Sequence, residues 1–132
     1  PNKYEAKMSD TIGDVIIRLK NATMAGKTEV SLPFSNFKIA ILSVIKESGY
    51  IDSFEVVGET ASKMIKIKFG KRKITHIKRI SKPGQRIYVQ NKEIPRPLRG
   101  FGLVVLSTPS GVLSGLSAKK MNVGGELICE MW

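Results

Sequence analysis

The sequence predicts an α+β protein in two parts. Residues 1–70 read as an α-β-α-β-β half, and residues 71–132 as a mostly antiparallel β half with one short helix. Three observations carry this reading. Two stretches place apolar residues at three- and four-residue spacing, the stripe of an amphipathic helix. Several others alternate with period two, or run apolar too briefly for a helix, as strands do. Glycine and proline punctuate the gaps between them.

Ser9 precedes Asp10, and Ile12, Val15, Ile16 and Leu19 follow at helical spacing, so a helix capped by Ser9 is expected to run to about Gly26. Asp10 and Asp14 would then sit near its positive end. Residues 28–34 alternate, with Val30 and Leu32 inward, and Pro33 confines them to a sheet edge or strand end. Ser35 should cap a second helix. Phe34 and Ile39 occupy its hydrophobic-staple positions, and Phe37, Ala40, Ile41, Val44 and Ile45 form its buried stripe until Gly49 stops it. Residues 51–58 and 64–69 then alternate as a hairpin, with Ile65, Ile67 and Phe69 on one face and Lys66 and Lys68 on the other.

Lys71, Arg72 and Lys73 make a solvated bridge to the second half. A strand over 74–80 is expected to turn at 81–85 and return over 86–90 as a tight hairpin. Pro83-Gly84 suits the centre of a type II turn, where glycine takes positive φ without strain. Residues 93–102, with two prolines and two glycines, must be irregular, and 103–106 is an apolar run fit for a strand buried on both faces. Residues 107–115 read as a loop, 116–121 as a short helix, and 126–131 as a last strand after Gly124-Gly125.

A chain of 132 residues builds one domain, or two small halves sharing a core. No apolar run approaches the roughly 18 residues of a membrane span, and residues 1–7 lack the apolar segment of a signal peptide. One cysteine, Cys129, and one histidine, His76, exclude an internal disulfide, a zinc cage and a Cys-Cys redox pair, so no metal or cofactor is expected and the compartment reads as reducing. The charge is uneven. Of the net +11, residues 62–99 carry +12, with 13 basic residues against Glu93, and the remainder of the chain sums to −1. Such concentration points to a polyanion.

Catalysis is poorly supplied. Cys129 reads as a small core residue, His76 as a surface strand residue, and Asp10 and Asp14 as partners of the helix dipole. Gly100 and Gly102 precede a strand, whereas a phosphate loop needs its glycines before a helix. A metal-dependent nuclease is the enzyme alternative, and a nonspecific nucleic-acid chaperone the alternative among binding modules. Nucleic-acid binding is better supported, because Lys66, Lys68, Lys78, Arg79, Lys82 and Arg86 fall on strands or turns that can form a band; taken singly each is also a solvated cation. Tyr88 shares a face with Arg86 and can stack on a sugar or base, or be a half-buried strand aromatic. The hydroxyl loop Ser107-Thr108-Pro109-Ser110-Gly111 can approach a minor groove closely, or serve as a turn and cap. Glu126 either orients a partner on that basic surface or begins a strand.

These segments resemble the small-subunit ribosomal protein eight family. The most specific match runs Gly102-x-x-Val105-Leu106-Ser107-Thr108-x-x-Gly111-Val112-Leu113 and on to Ala118-Lys119. Supporting blocks are residues 10–14 and 18–22, Leu32-Pro33-Phe34-Ser35, Gly49-Tyr50-Ile51, residues 79–89 and Gly124-Gly125-Glu126. The resemblance implies two packed α+β halves and a non-enzymatic role: binding the central domain of small-subunit rRNA and helping to assemble the platform. It places Ser107 and Thr108 in a distorted RNA helix with Gly111 shaping the turn, and Glu126 and Tyr88 against the same RNA; Arg79, Lys82 and Arg86 join these as RNA-binding candidates from the charge of their segment. Asp10, Thr11 and Arg18 would touch a second RNA segment. It also implies a cytoplasmic or organellar ribosome, neighbours from the families numbered five and twelve, no membrane, and a monomer outside the ribosome. The chain departs from the pattern at Pro109, Gly115 and Thr11.

Overall fold

The computed structural model describes the backbone of residues 3–132 and the side chains from Thr11 onward. The described elements run α1 (Lys3–Met24), β1 (Glu29–Pro33), α2 (Asn36–Glu47), β2 (Ile51–Val57), β3 (Met64–Phe69), β4 (Ile77–Arg79), β5 (Tyr88–Val89), β6 (Leu103–Thr108), β7 (Gly111–Ser114), α3 (Gly115–Lys120) and β8 (Gly125–Met131).

The first half is the expected α-β-α-β-β unit. Its antiparallel sheet has the order β1-β3-β2, so Pro33 does lie on an edge strand. Leu32, Ile65 and Ile67 join a core with Ile12, Val15 and Leu19 of α1 and with Ile41, Leu42 and Ile45 of α2. Ser35 caps α2, accepting from the Lys38 N–H at 3.1 Å, and Gly49 past its end takes φ +89°. Two expectations shift. α1 begins at Lys3, so Ser9 and Asp10 lie inside it; Glu, Ala, Lys and Met over residues 3–8 are strong helix formers that carry the helix through the cap signal. The buried stripe of α2 takes in Leu42 and Lys38, while Phe37 and Ala40 are half-buried.

In the second half β8 is the spine. It pairs with β6 on one side and with both β4 and β5 on the other. The expected β4–β5 hairpin is therefore absent: the two strands lie end to end along one edge of β8, and residues 82–86 loop out between them. Ser81, 3% exposed, explains why. Its hydroxyl accepts from the Ile87 N–H at 2.9 Å and closes the base of the loop. Backbone bonds from Ile80 to Ile128, from Ser81 to Leu127 and from Leu127 to Ile87 use up the donors and acceptors that a hairpin would have needed. The turn itself forms, with reciprocal Lys82–Gln85 bonds of 3.0 Å and Gly84 at φ +84°.

Residues 107–115 are likewise not a loop. β6 runs on through Ser107 and Thr108, and β7 returns in register with Thr108 opposite Gly111, leaving Pro109-Ser110 as a two-residue connection. Gly111 at φ +113° supplies the backbone conformation that the turn needs. His76 is not on a strand; its ring stacks on Trp132 at 3.9 Å. Residues 93–102 form neither α-helix nor strand, as expected; short 3₁₀ turns occur at Asn91–Glu93 and Pro97–Gly100, with non-glycine Leu98 and Arg99 at φ 49° and 54°.

One core cluster runs from Leu19 and Ile67 in the first half to Ile77, Val105 and Met131 in the second. A smaller one, Ile94, Val104, Leu106, Ala118 and Leu127, lies under α3. Between them sits a β-bulge. Val105 pairs with Cys129 but Leu106 pairs with Leu127, so Ile128 is skipped and the alternation of β8 changes phase. Ile128 and Cys129 both enter the large cluster and Leu127 the small one, which brings Glu126 out on the side turned toward α1 and α2.

Candidate nucleic-acid interface

The register across β5, β8 and β6 sets Tyr88, Glu126 and Ser107 in one transverse row, Tyr88 opposite Glu126 and Glu126 opposite Ser107. Directly opposed residues of an antiparallel pair share a face. Tyr88 stands 66% exposed at one end. Glu126 has its side chain 14% exposed and its Oε1 3.6 Å from an Arg86 guanidinium nitrogen. The acid that looked out of place on a basic surface thus has a cation beside it. At the other end a Cβ on Gly125 would collide with the Ser107 carbonyl, so glycine is what lets β8 approach β6 there.

The looped-out segment 82–86 hangs beside this row with Lys82 exposed. Arg79 is pinned, its Nε donating to the Ser81 carbonyl at 2.8 Å, and one of its guanidinium nitrogens would lie 3.3 Å from a Cβ on Gly13 of α1. Arg79, Lys82, Arg86 and Glu126 line a narrow crevice with Ile12 and Phe37 of the first half. Thr108 and Gly111 sit at the hairpin tip. The Thr108 hydroxyl donates to the Gly111 carbonyl at 2.8 Å and accepts from the Ser110 N–H at 3.1 Å, so this threonine also ties the turn.

Other candidates fall elsewhere. Lys66 and Lys68 lie on the three-stranded sheet, outside any band with residues 79–86: Glu29 is 3.5 Å from the Lys66 ammonium, Glu55 pairs with Lys66 and Glu29 with Lys68. Lys78 pairs with Glu130, one residue out of phase with Arg79 and so on the opposite face. Arg18 bonds Asp14 at 2.8 Å and the Ser31 carbonyl at 3.2 Å, joining β1 to α1. Thr11 is half-buried beside Ile12, and the side chain of Asp10 lies outside the described residues. Asp14 is no dipole partner at a helix start: its carboxylate reaches the Lys38 ammonium at 2.7 Å. Sequence reasoning missed Ser81 and the close approach at Gly125. Ser81 lies two residues past the end of β4, and no local pattern marks it as buried.

Among the described residues no three His, Cys, Asp or Glu side chains cluster to hold a metal, and no helix is long and apolar enough to cross a membrane. Cys129 is buried, with its thiol pushed up to about 12 by desolvation and by Glu130 nearby.

An aromatic, a hydroxyl and a paired carboxylate on a sheet beside a cationic loop have the chemistry of a nucleic-acid-binding surface. Comparison with known proteins narrows this reading. The family model described as "Ribosomal protein S8" matches residues 10–132. A protein of Vesicomyosocius okutanii called "Small ribosomal subunit protein uS8" is 47% identical over 129 residues, covering 95% of this chain and 98% of the relative. Proteins of the same name from Oleidesulfovibrio alaskensis and Thermus aquaticus are 46% and 43% identical, each covering 95% of this chain and 99% of the relative. The chain belongs to the ribosomal protein S8 family.

Proposed function

We propose that this chain is a structural constituent of the small ribosomal subunit that binds the central domain of its rRNA and helps to assemble the platform. Family membership over residues 10–132 supports the ribosomal role. The observation that carries the mechanism is the row Tyr88–Glu126–Ser107 flanked by Arg86. The cations of the 82–86 loop, with Arg79, supply salt-dependent phosphate affinity, while the row, Thr108 and Gly111 read the local shape of the RNA. A carboxylate with Arg86 beside it can accept from a base amino group without leaving an uncompensated negative charge against phosphates.

In this reading residues 71–132 are the rRNA-binding half and residues 1–70 a second half, from which Asp10, Thr11 and Arg18 touch another RNA segment. Proteins of the families numbered five and twelve are its neighbours, and it is a monomer before assembly. It works in the ribosome of a cytoplasm or an organelle, needing no membrane, metal or cofactor. The test is filter binding to a central-domain rRNA fragment and to a scrambled duplex of equal length across a salt series. Preference for the rRNA of about 10³ or more is expected at moderate salt. Equal affinities that fall together with salt would replace this reading with a nonspecific chaperone.

A further inference from the structure

Away from the Glu126 row, a cavity of about 340 Å³ opens between the end of α2, the 95–102 loop and α3. It shares no lining residue with the crevice at Glu126. Its lining is mixed: Pro95, Pro97, Leu103 and Val104 form an apolar part beside Ser48, Ser114 and Ser117, and Arg72, Arg96 and Lys119 stand against one acid among the described residues, Glu47. Two large apolar side chains stand open at its mouth, Phe101 at 75% and Leu116 at 61% exposure, with Leu98 nearby in the loop at 51%. Single exposed apolar residues are ordinary, but several gathered around one concavity mark an interaction site.

The loop that presents Phe101 is held, not loose. Gly102 bonds the Pro97 carbonyl at 3.0 Å and Phe101 the Leu98 carbonyl at 3.1 Å. Arg72 donates to the carbonyls of Phe101 and Ser48 and lies 4.3 Å from the centre of the Tyr50 ring, tying the loop to the first half. Leu98 and Arg99 keep left-handed backbone angles that non-glycine residues take at a cost. Strain maintained by surrounding bonds is a mark of a functional segment.

The chemistry selects the occupant. An RNA strand would meet Arg96 and Lys119 but gain little from Leu98 and Leu116, and Arg72 is committed to carbonyls and an aromatic ring. An apolar side chain flanked by a carboxylate complements both the apolar part of the lining and its cations. We propose that this cavity docks a segment of a neighbouring protein in the same particle, one that sets a large apolar side chain against Phe101 and Leu116 and a carboxylate beside Arg96 and Lys119. The proposal rests on the ribosomal reading above, and the separate linings let RNA and protein bind together.

The test reconstitutes small subunits from rRNA and purified subunit proteins with the wild-type chain, Phe101→Asp, and Arg96→Glu with Lys119→Glu. Quantitative mass spectrometry reads the protein content of the sedimented particles, and thermal melts check folding. Both variants should enter the particle at wild-type level with rRNA affinity within about twofold, while one and the same neighbour falls about tenfold, the loss of a central anchor. A photoreactive phenylalanine analogue at position 101 should cross-link to that neighbour, at a peptide carrying Asp or Glu beside a large apolar residue. Cross-linking to rRNA, to a basic peptide or to nothing would overturn the docking site, as would undiminished neighbours with both variants folded. If Phe101→Asp fails to fold, the charge-reversal pair, at exposed Arg96 and half-exposed Lys119, and the cross-link decide. Failure of the wild-type chain to bind rRNA would overturn the ribosomal reading and is recorded separately.

Discussion

The ammonium of Lys38, on a side chain 6% exposed, lies 2.7 Å from the Asp14 carboxylate and 2.9 Å from the Pro33 carbonyl, so α2 is bolted to α1 and β1 by one buried cation. Removing the carboxylate leaves that cation without its counter-charge. Asp14→Ala should destabilise the fold by about 2 kcal/mol or more in urea denaturation, below the range for fully buried pairs because the carboxylate is partly exposed. Lys38→Met, which removes the charge and keeps the bulk, should cost less.

The same pair sets an acid limb. Burial pushes the Asp14 carboxyl up, but hydrogen bonds from Lys38 and Arg18 outweigh it and hold the group below its ordinary 3.8. A pKa depressed in the fold gives stability that is present above 3.8 and lost as pH falls through the folded value. The stability gap between wild type and Asp14→Asn, measured in urea, should therefore narrow below that pH. A gap independent of pH from neutrality down to pH 3 or below would refute the assignment.

Phosphate attraction should separate by sheet. Lys82→Ala should reduce the slope of log affinity against log salt by about 0.7 to 0.9. Lys66→Ala should leave that slope unchanged, because Glu29 and Glu55 already flank Lys66 on the other sheet. Equal reductions from the two variants would mean that the band extends over both halves.

Shape recognition should reside in the row. Tyr88→Ala is expected to weaken rRNA binding about tenfold, within the range for one lost stacking contact, at unchanged salt slope. It should move stability by no more than about 0.5 kcal/mol, since Tyr88 is 66% exposed. Ser107→Ala is a cleaner probe of the hydroxyls than Thr108→Val, because the Thr108 hydroxyl also ties the hairpin turn.

Cys129 should be silent toward thiol reagents. With its thiol at about 12 and its side chain buried in the core, a maleimide should label it no faster than the chain unfolds, and rapid labelling of the native protein would contradict that environment.

What the sequence disclosed and what it hid divide along a physical line. Local signals survived: the Ser35 cap, the Pro83-Gly84 turn and the apolar strand at 103–106 all form where their chemistry directs. Pairing partners did not, because period-two alternation says that a stretch is a strand and nothing about which strand lies beside it. The β4–β5 hairpin failed for that reason: β8, some 40 residues further on, bonds both. The band was overdrawn in the same way, since Lys66 and Arg79 belong to different sheets and Lys78 faces away from its neighbour. The residues of the Glu126 row were each singled out in the sequence, yet their alignment depends on a bulge at Val105 and Leu106 that no local pattern announces.

Because β8 follows β4, β5 and β6 in the chain yet pairs with all three, the order of synthesis gains a consequence. A ribosome making this protein releases the whole cationic segment well before residues 125–131 emerge. Until they do, β4 and β5 have no template and Glu126 does not exist to meet Arg86. On the proposed function, a nascent chain therefore carries the cations before the row that is to select among polyanions has formed. A product truncated ahead of Gly125–Met131 would keep the charge and lack that row.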